Sequence, residues 1–346
     1  MKPPLTGSAQ LSVLYLGPDS GTSRHRRHAF TRLGHHVEQL DPRRLLPRSP
    51  WIDRIEWHLS PKPLAALVQR RIEAALQGGN FDIAFVDGGS LITADAVRVL
   101  RRNCARVVNF NQDDPFGVRD RVRFSVYRKA VPEYDLVVVV RSPNIEEARQ
   151  LGARRVLHHL CVSDEVAHAP RPLNPEIRAA WQSEVAFIGS WMPERGPFLA
   201  ELVERGVPLS IFGPGWHKAP EWPRLQAHHR ALYLDEDDYA YAVQCAGVLL
   251  GMLSKGNRDE HTTRTMEIPM LGGLLCAERT GVHESLYRDG AEAVFWSTAE
   301  ECARVCHDLL ADESRRSRIA EAGQRRCMAN NHTSESLIRR TMEALP

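Results

Sequence analysis

Short apolar runs alternate with amphipathic stretches through the first half of the chain. The runs "LSVLYLG" (11–17), "HHVEQLD" (35–41), "DIAFVD" (82–87), "RVVNFN" (106–111), "DLVVVV" (135–140) and "RVLHHL" (155–160) read as strands. Helical periodicity fills the intervals at about 23–33, 63–77, 93–102, 119–130 and 143–151. Buried strands alternating with helices predict a parallel sheet covered on both faces.

The segment "HAPRPLNPEI" (167–176) breaks this rhythm with three prolines and no periodicity, and reads as a linker. Alternation then resumes. Strands are expected at 184–190, 208–215, 248–253, 272–278 and 293–296, and helices at 195–206, 237–247 and inside 257–273. Residues from about 298 to 345 are mostly helical and rich in arginine. The pattern predicts an α/β protein of two Rossmann-like, doubly wound domains, residues 1–168 and 169–330, with a closing segment 331–346. Such sheets bind ligands beyond the carboxyl ends of their strands. Two units facing each other would place a central cleft there.

Composition narrows the class. The 346 residues are 43% hydrophobic and 25% charged, which suits a folded chain long enough for two cores. The 45 basic and 43 acidic residues nearly cancel, so no global charge calls for nucleic acid. Seven scattered cysteines without a CxxC pair argue for reduced thiols and a cytoplasmic protein. No signal peptide is visible and no apolar run approaches a membrane span, although peripheral membrane contact stays open.

The segment "VAFIGSWMPERGPFLAELVERGVPLSIFGPGW" and, further on, "TTRTMEIPMLGGLLCAERTGVHESLYRDGAEAVFW" resemble the CgeB-like, spore-maturation type of glycosyltransferase in the GT-B superfamily. The matching pieces are a strand ending in Gly-Ser with an Arg soon after, a strand ending in Gly-x-Gly-Trp, and Arg-x-x-Glu at a helix start. The resemblance is strong over about 184–345 and weaker over 11–165. It implies a GT-B fold and transfer of a sugar from a nucleotide-sugar to an acceptor. It also implies retention of anomeric configuration and a last helix that returns to the N-terminal domain.

The stretch "NRDEHTTRTMEIPMLGG" (257–273) carries the most chemistry. A helix starting near His261–Thr263 would aim N–H groups and its positive dipole end at an anion. Thr262 and Thr263 add hydroxyl donors, and Arg264 adds a bidentate fork for phosphate. Glu267, three residues on, projects from the same side and can accept hydrogen bonds from a ribose diol. The resemblance implies that role; the alternative is a Glu267 that pairs with Arg264 and serves the helix. Relatives often carry a Glu eight residues before the ribose Glu. Here Asp259 stands at that place, either as a shortened substitute or as a solvated loop residue.

Gly189 and Ser190 let backbone approach a ligand and Arg195 can reach a diphosphate, or the three form an ordinary strand-to-helix turn. Gly213 and Gly215 shape either a nucleotide-base pocket or a turn. Lys255 adds charge near phosphates or is solvated. In the N-terminal half, Asp113 and Asp114 follow a strand in "NFNQDDPFG", where one can serve as general base, orient a sugar, or start a helix. Gly21, Thr22 and Ser23 offer a phosphate or acceptor cradle without a GxGxxG fingerprint. The cluster Arg24, His25, Arg26, Arg27 and His28 reads either as a patch that meets an anionic acceptor or as a basic helix face. "DEDD" (235–238) contains a DxD pattern, but acids before a helix read as caps, and arginines can neutralise a leaving diphosphate without a metal. No cofactor is expected beyond the nucleotide-sugar. The rivals are a GT-B-fold nucleotide-sugar epimerase and a non-catalytic nucleotide-sugar binding protein.

Overall fold

A computed structural model describes residues 10–47, 49, 51–52, 61–76 and 79–346. The chain divides into two compact units. The first comprises the described residues up to Leu160 together with Gly256–Arg258 and Ser334–Pro346; the second is Cys161–Lys255 with Asp259–Thr333. The division at 160/161 precedes the proline-rich 167–176 segment, which packs within the second unit.

In the first unit, β1 (Ser12–Leu16), β2 (His36–Leu40), β3 (Phe81–Asp87), β4 (Cys104–Asn111), β5 (Leu136–Val139) and β6 (Val156–His158) form one parallel sheet. Their order is β2-β1-β3-β4-β5-β6. The sheet runs outward in two directions from the β1/β3 pair, whose register aligns Leu16 with Val86. Helices α1 (Gly21–Arg32), α2 (Lys62–Ala75), α3 (Ala94–Asn103), α4 (Ser125–Ala130) and α5 (Ser142–Gln150) connect the strands. Tyr15, Phe30 and Phe85 interlock at ring distances of 5.3–6.3 Å, which ties β1 and β3 to α1.

The second unit repeats the plan with β7 (Ser183–Ile188), β8 (Leu209–Phe212), β9 (His229–Ala231), β10 (Ala246–Gly251), β11 (Leu275–Glu278) and β12 (Val294–Trp296). Their order is β12-β11-β10-β7-β8-β9, all parallel, with the reversal at β7/β10. The helices here are α6 (Pro175–Trp181), α7 (Arg195–Glu204), α8 (Trp222–Leu225), α9 (Glu236–Gln244), α10 (Arg264–Met270), α11 (Gly281–Leu286), α12 (Ala299–Ala311) and α13 (Glu313–Asn330). The closing helix α14 (Ser334–Glu343) belongs to the first unit, where Glu335 accepts from Arg32 at 2.9 Å.

Three departures from the sequence expectation have physical causes. The helix expected over 119–130 is only Ser125–Ala130, because Val118 and Val122 point to solvent and no apolar face exists ahead of Phe124. The proline-rich linker contains α6, started by the Asn174 side chain accepting from the Ile177 N–H at 2.7 Å with Pro175 in the first turn. The short edge strand β9, His229-Arg230-Ala231, holds no β-branched or aromatic hydrophobe and carries no strand signal.

Candidate functional site

The switch point of the second sheet is marked by two arginines. Arg195, at the start of α7, is 8% exposed and lies over the Phe187 ring. Its guanidinium donates to the Ser190 carbonyl beyond β7 at 2.9 Å and to the Met252 carbonyl beyond β10 at 3.4 Å. It therefore spans the two strand ends from which the sheet reverses. Arg264 donates from Nε to the Ile188 carbonyl at 3.2 Å, so it sits at the same strand end.

Glu267 lies behind Arg264 and is 1% exposed. Its Oε2 accepts from Arg264 and, at 2.9 Å, from the Tyr239 hydroxyl; His168 Nε2 lies 3.6 Å from Oε1. His168 Nδ1 accepts from the Asp164 N–H, which places the proton of the neutral ring on the nitrogen facing Glu267. Burial alone would raise the Glu267 carboxyl. The charge of Arg264, with His168 and Tyr239, outweighs it and brings the group down to about 2. Burial holds the Tyr239 phenol protonated, as a donor must be. The Arg264 guanidinium lies 4.5 Å over the Tyr239 ring, and its side chain is 32% exposed.

Helix α10 is short. It begins at Arg264 rather than at His261–Thr263, contains Pro269 and ends before Gly272. Seven residues make a weak dipole, so charge at this place comes from Arg264 itself. Thr263 contributes its carbonyl to the Met266 and Glu267 N–H groups, and the Thr262 N–H donates to the Thr265 hydroxyl. Thr265 in turn donates to His283 Nε2 at 2.9 Å, because His283 Nδ1 gives its proton to the Glu278 carbonyl. The Tyr287 hydroxyl donates to the Thr265 carbonyl, so α10 is fixed from behind.

The remaining candidates in this unit divide. Gly189 and Gly213 touch: a Cβ on Gly213 would lie 2.4 Å from the Gly189 carbonyl oxygen, and Gly213 has φ of 127°. Gly215 turns the chain into the buried Trp216, whose indole donates to that same carbonyl at 3.0 Å. Lys255 is paired with Glu278, and its N–H donates to Glu194. Asp259 accepts the Ser254 N–H at 3.0 Å and closes its own loop. Asp235 caps α9 by accepting the Asp238 N–H. Sequence reasoning missed Tyr239 and His168. The first sits in an ordinary amphipathic helix, and the second in the segment read as linker.

The first unit holds a cavity of about 540 Å³ at the carboxyl ends of β1, β3 and β4, lined by Gly21, Arg26, Asp87, Gln112, Asp113 and Arg123 among others. Its floor is a bidentate pair, Arg26 to Asp87 at 2.9 and 3.1 Å, with Arg26 also donating to Gln112 at 3.0 Å. Tyr15 donates to Asp87, and the Thr22 hydroxyl donates to Gln112 at 3.2 Å. Arg26 is thus no surface residue, and His25 is buried beside it; Arg24 and Arg27 turn outward to Asp19, and His28 is exposed. Asp113 lines the cavity, paired with Arg123 at 2.9 Å. Asp114 is 2% exposed and accepts from Arg258 twice, from Asn144 and from the Gly117 N–H. Burial opposes its ionisation, yet these bonds lower it below the ordinary carboxylate range. Of the two aspartates, Asp113 alone keeps side-chain surface, 41%.

These two switch points define a Rossmann-like pair of domains, the GT-B fold. Residues 195–343 match a family model described as glycosyl transferase-like. The chain is similar in structure to sucrose-phosphate synthase from Thermosynechococcus elongatus (TM-score 0.67, 13% identity, 97% of this chain and 98% of that one). It is also similar to Anabaena HepE in complex with UDP-glucose (0.65, 13%, 97% and 100%). A third similar structure is a putative UDP-N-acetylglucosamine 2-epimerase from Listeria monocytogenes (0.59, 12%, 96% and 95%). No curated protein matches the sequence. Among the described residues, no helix is long and apolar enough to cross a membrane.

Proposed function

We propose that this protein is a cytoplasmic glycosyltransferase of the CgeB-like type that moves a sugar from a nucleotide-sugar to an acceptor hydroxyl without a metal. The reading rests above all on Arg264 and Glu267, which stand together at the β7/β10 switch point inside the segment that matches the glycosyl transferase-like model. The complex of HepE with UDP-glucose is in keeping with it.

The second unit takes the donor. Arg264, already one-third exposed, turns to the diphosphate, and the acceptor sites on Glu267 that it leaves receive the ribose diol. Tyr239 and His168 hold the carboxylate in place through this exchange. Arg195, bound to two backbone carbonyls, shapes the strand ends and is a positioning residue. The first unit takes the acceptor in its 540 Å³ cavity, with Asp113 as the orienting carboxylate. The bond from the anomeric carbon to the phosphate oxygen breaks as the acceptor oxygen bonds to that carbon. The acceptor proton passes to the leaving phosphate oxygen, which gives retention. Arginine in place of a metal neutralises the diphosphate as it leaves.

The test is incubation with a panel of nucleotide-sugars, with and without acceptor extracts. Acceptor-dependent release of nucleotide supports transfer. Isomerised nucleotide-sugar without release identifies an epimerase, and binding without turnover identifies a carrier. Glu267→Ala is expected to weaken nucleotide binding by roughly tenfold or more, the worth of one charge-assisted hydrogen bond. An unchanged affinity would sink the ribose assignment.

A further inference from the structure

The second core contains a feature that nucleotide-sugar chemistry does not use. The sulfurs of Cys276, Cys302 and Cys306 all lie within 4.8 Å of one another, and all three residues are fully buried. Cys302 and Cys306 are one turn apart on α12 and so share a face, and Cys276 meets them from β11. Three sulfurs bound to one ion at about 2.3 Å lie at most about 4 Å apart, so the sulfurs need to draw together by up to about an ångström to close the triangle.

The surroundings select the ion. Zinc in a closed site takes four ligands, and among the described residues no fourth His, Cys, Asp or Glu joins the group. The neighbours are apolar, among them Leu250, Val294, Trp296 and Leu309. A monovalent or divalent ion held by three thiolates would leave net negative charge in this core, which is costly. A trivalent ion held by three thiolates is neutral, and thiolate is a soft ligand.

We propose that Cys276, Cys302 and Cys306 form a three-sulfur binding site for a trivalent thiophilic ion, for which arsenite is the probe. Arsenous acid reacts with the three thiols; three As–S bonds replace three As–O bonds, each thiol proton leaves on a hydroxide, and three waters are released. No oxidant or reductant is needed. Because the sulfurs are buried, the ion enters only when α12 opens locally, so capture is slow.

The full chain would be incubated with arsenite for hours, or refolded from denaturant in its presence, then desalted and weighed by native mass spectrometry. The expected result is one arsenic per chain and a raised melting temperature. Cys276→Ala, Cys302→Ala and Cys306→Ala should each lose the arsenic, whereas Cys245→Ala, outside the cluster, should keep it. X-ray absorption on the wild-type complex needs no variant and should count three sulfurs around arsenic and no oxygen. Failure to retain arsenic even after refolding overturns the proposal. So does retention that survives all three substitutions, or a coordination shell containing oxygen.

Discussion

In the first unit Arg26, Asp87 and Tyr15 meet at the β1/β3 switch point; in the second Arg264, Glu267 and Tyr239 meet at β7/β10. Each arginine also lies 4.5 Å over an aromatic ring, Phe110 in one case and Tyr239 in the other. The chemistry is nearly the same, but the exposure is not. Arg26 and Asp87 are 3% and 7% exposed at the side chain, whereas Arg264 is 32% exposed above a Glu267 at 1%. A pair closed on both sides is a floor. A pair whose cation reaches solvent can trade its partner for a ligand without exposing a core.

The sharpest way to break this comparison is to truncate the acids. Asp87→Ala leaves a buried guanidinium without its carboxylate and is expected to cost about 3–5 kcal/mol, read by chemical denaturation. Glu267→Ala leaves an arginine that can turn to water, so its cost should be about half of that. Truncating the arginines instead should level the two units, because Arg264→Ala strands a carboxylate as buried as Asp87. Equal losses for the two acid truncations would show that exposure of Arg264 has no energetic meaning.

Acid sensitivity is the next contrast. The Glu267 carboxyl falls from an ordinary value of 4.5 to about 2 in the folded chain, chiefly because the charge of Arg264 overcomes burial. A depressed folded value means that the stability is present above the ordinary value and is lost as pH falls from about 4.5 towards about 2. The full shift is worth about 3 kcal/mol. Glu267→Gln should flatten the stability profile across that window. A variant that keeps the wild-type slope would place the acid-sensitive group elsewhere.

Much of this was legible in the sequence. The central strands of both sheets showed as apolar runs, because strands buried on both faces have few places for polar residues; the half-exposed edge strand β9 did not. Arg264 and Glu267 stood out as charges in an apolar helix. Illegible were partners that reach the site from distant chain positions: Tyr239 from α9, His168 from the proline-rich segment, and Asp87 beneath Arg26. A one-dimensional pattern gives a helix its face but not what that face meets. For the same reason Cys276 looked unrelated to Cys302 and Cys306, 26 residues and more away. Arg26 looked like surface because its neighbours in the chain are charged.

Glycine turns separate the two units again. Gly213→Ala brings a methyl to 2.4 Å from a backbone oxygen in a left-handed conformation, and backbone cannot step aside as a side chain can. It should cost about 2–3 kcal/mol and loosen nucleotide binding together with the β7 and β8 ends. Gly21 in the first unit also has positive φ, 49°, but a Cβ there meets nothing within 4 Å. Gly21→Ala should therefore cost only about 1 kcal/mol, the strain of the conformation alone. Similar melting-temperature losses for both would mean that the Gly189–Gly213 contact yields.

The smallest effect on stability is expected at Asp113, and it bears most directly on the roles of the two units. Its pairing with Arg123 is 41% exposed on the acid side, so Asp113→Asn should change stability by less than about 1 kcal/mol. If the first unit holds the acceptor, the variant should bind nucleotide normally and still lose acceptor-dependent turnover. The way in which it loses turnover sharpens the assignment. A carboxylate that only orients the acceptor, with the leaving phosphate taking the proton, shows mainly as a higher acceptor KM. A carboxylate that takes the proton itself shows as a fall of about 10²–10⁴ in kcat. Loss of nucleotide affinity in Asp113→Asn would overturn the division of labour altogether, because it would put the donor in the unit that carries the closed pair.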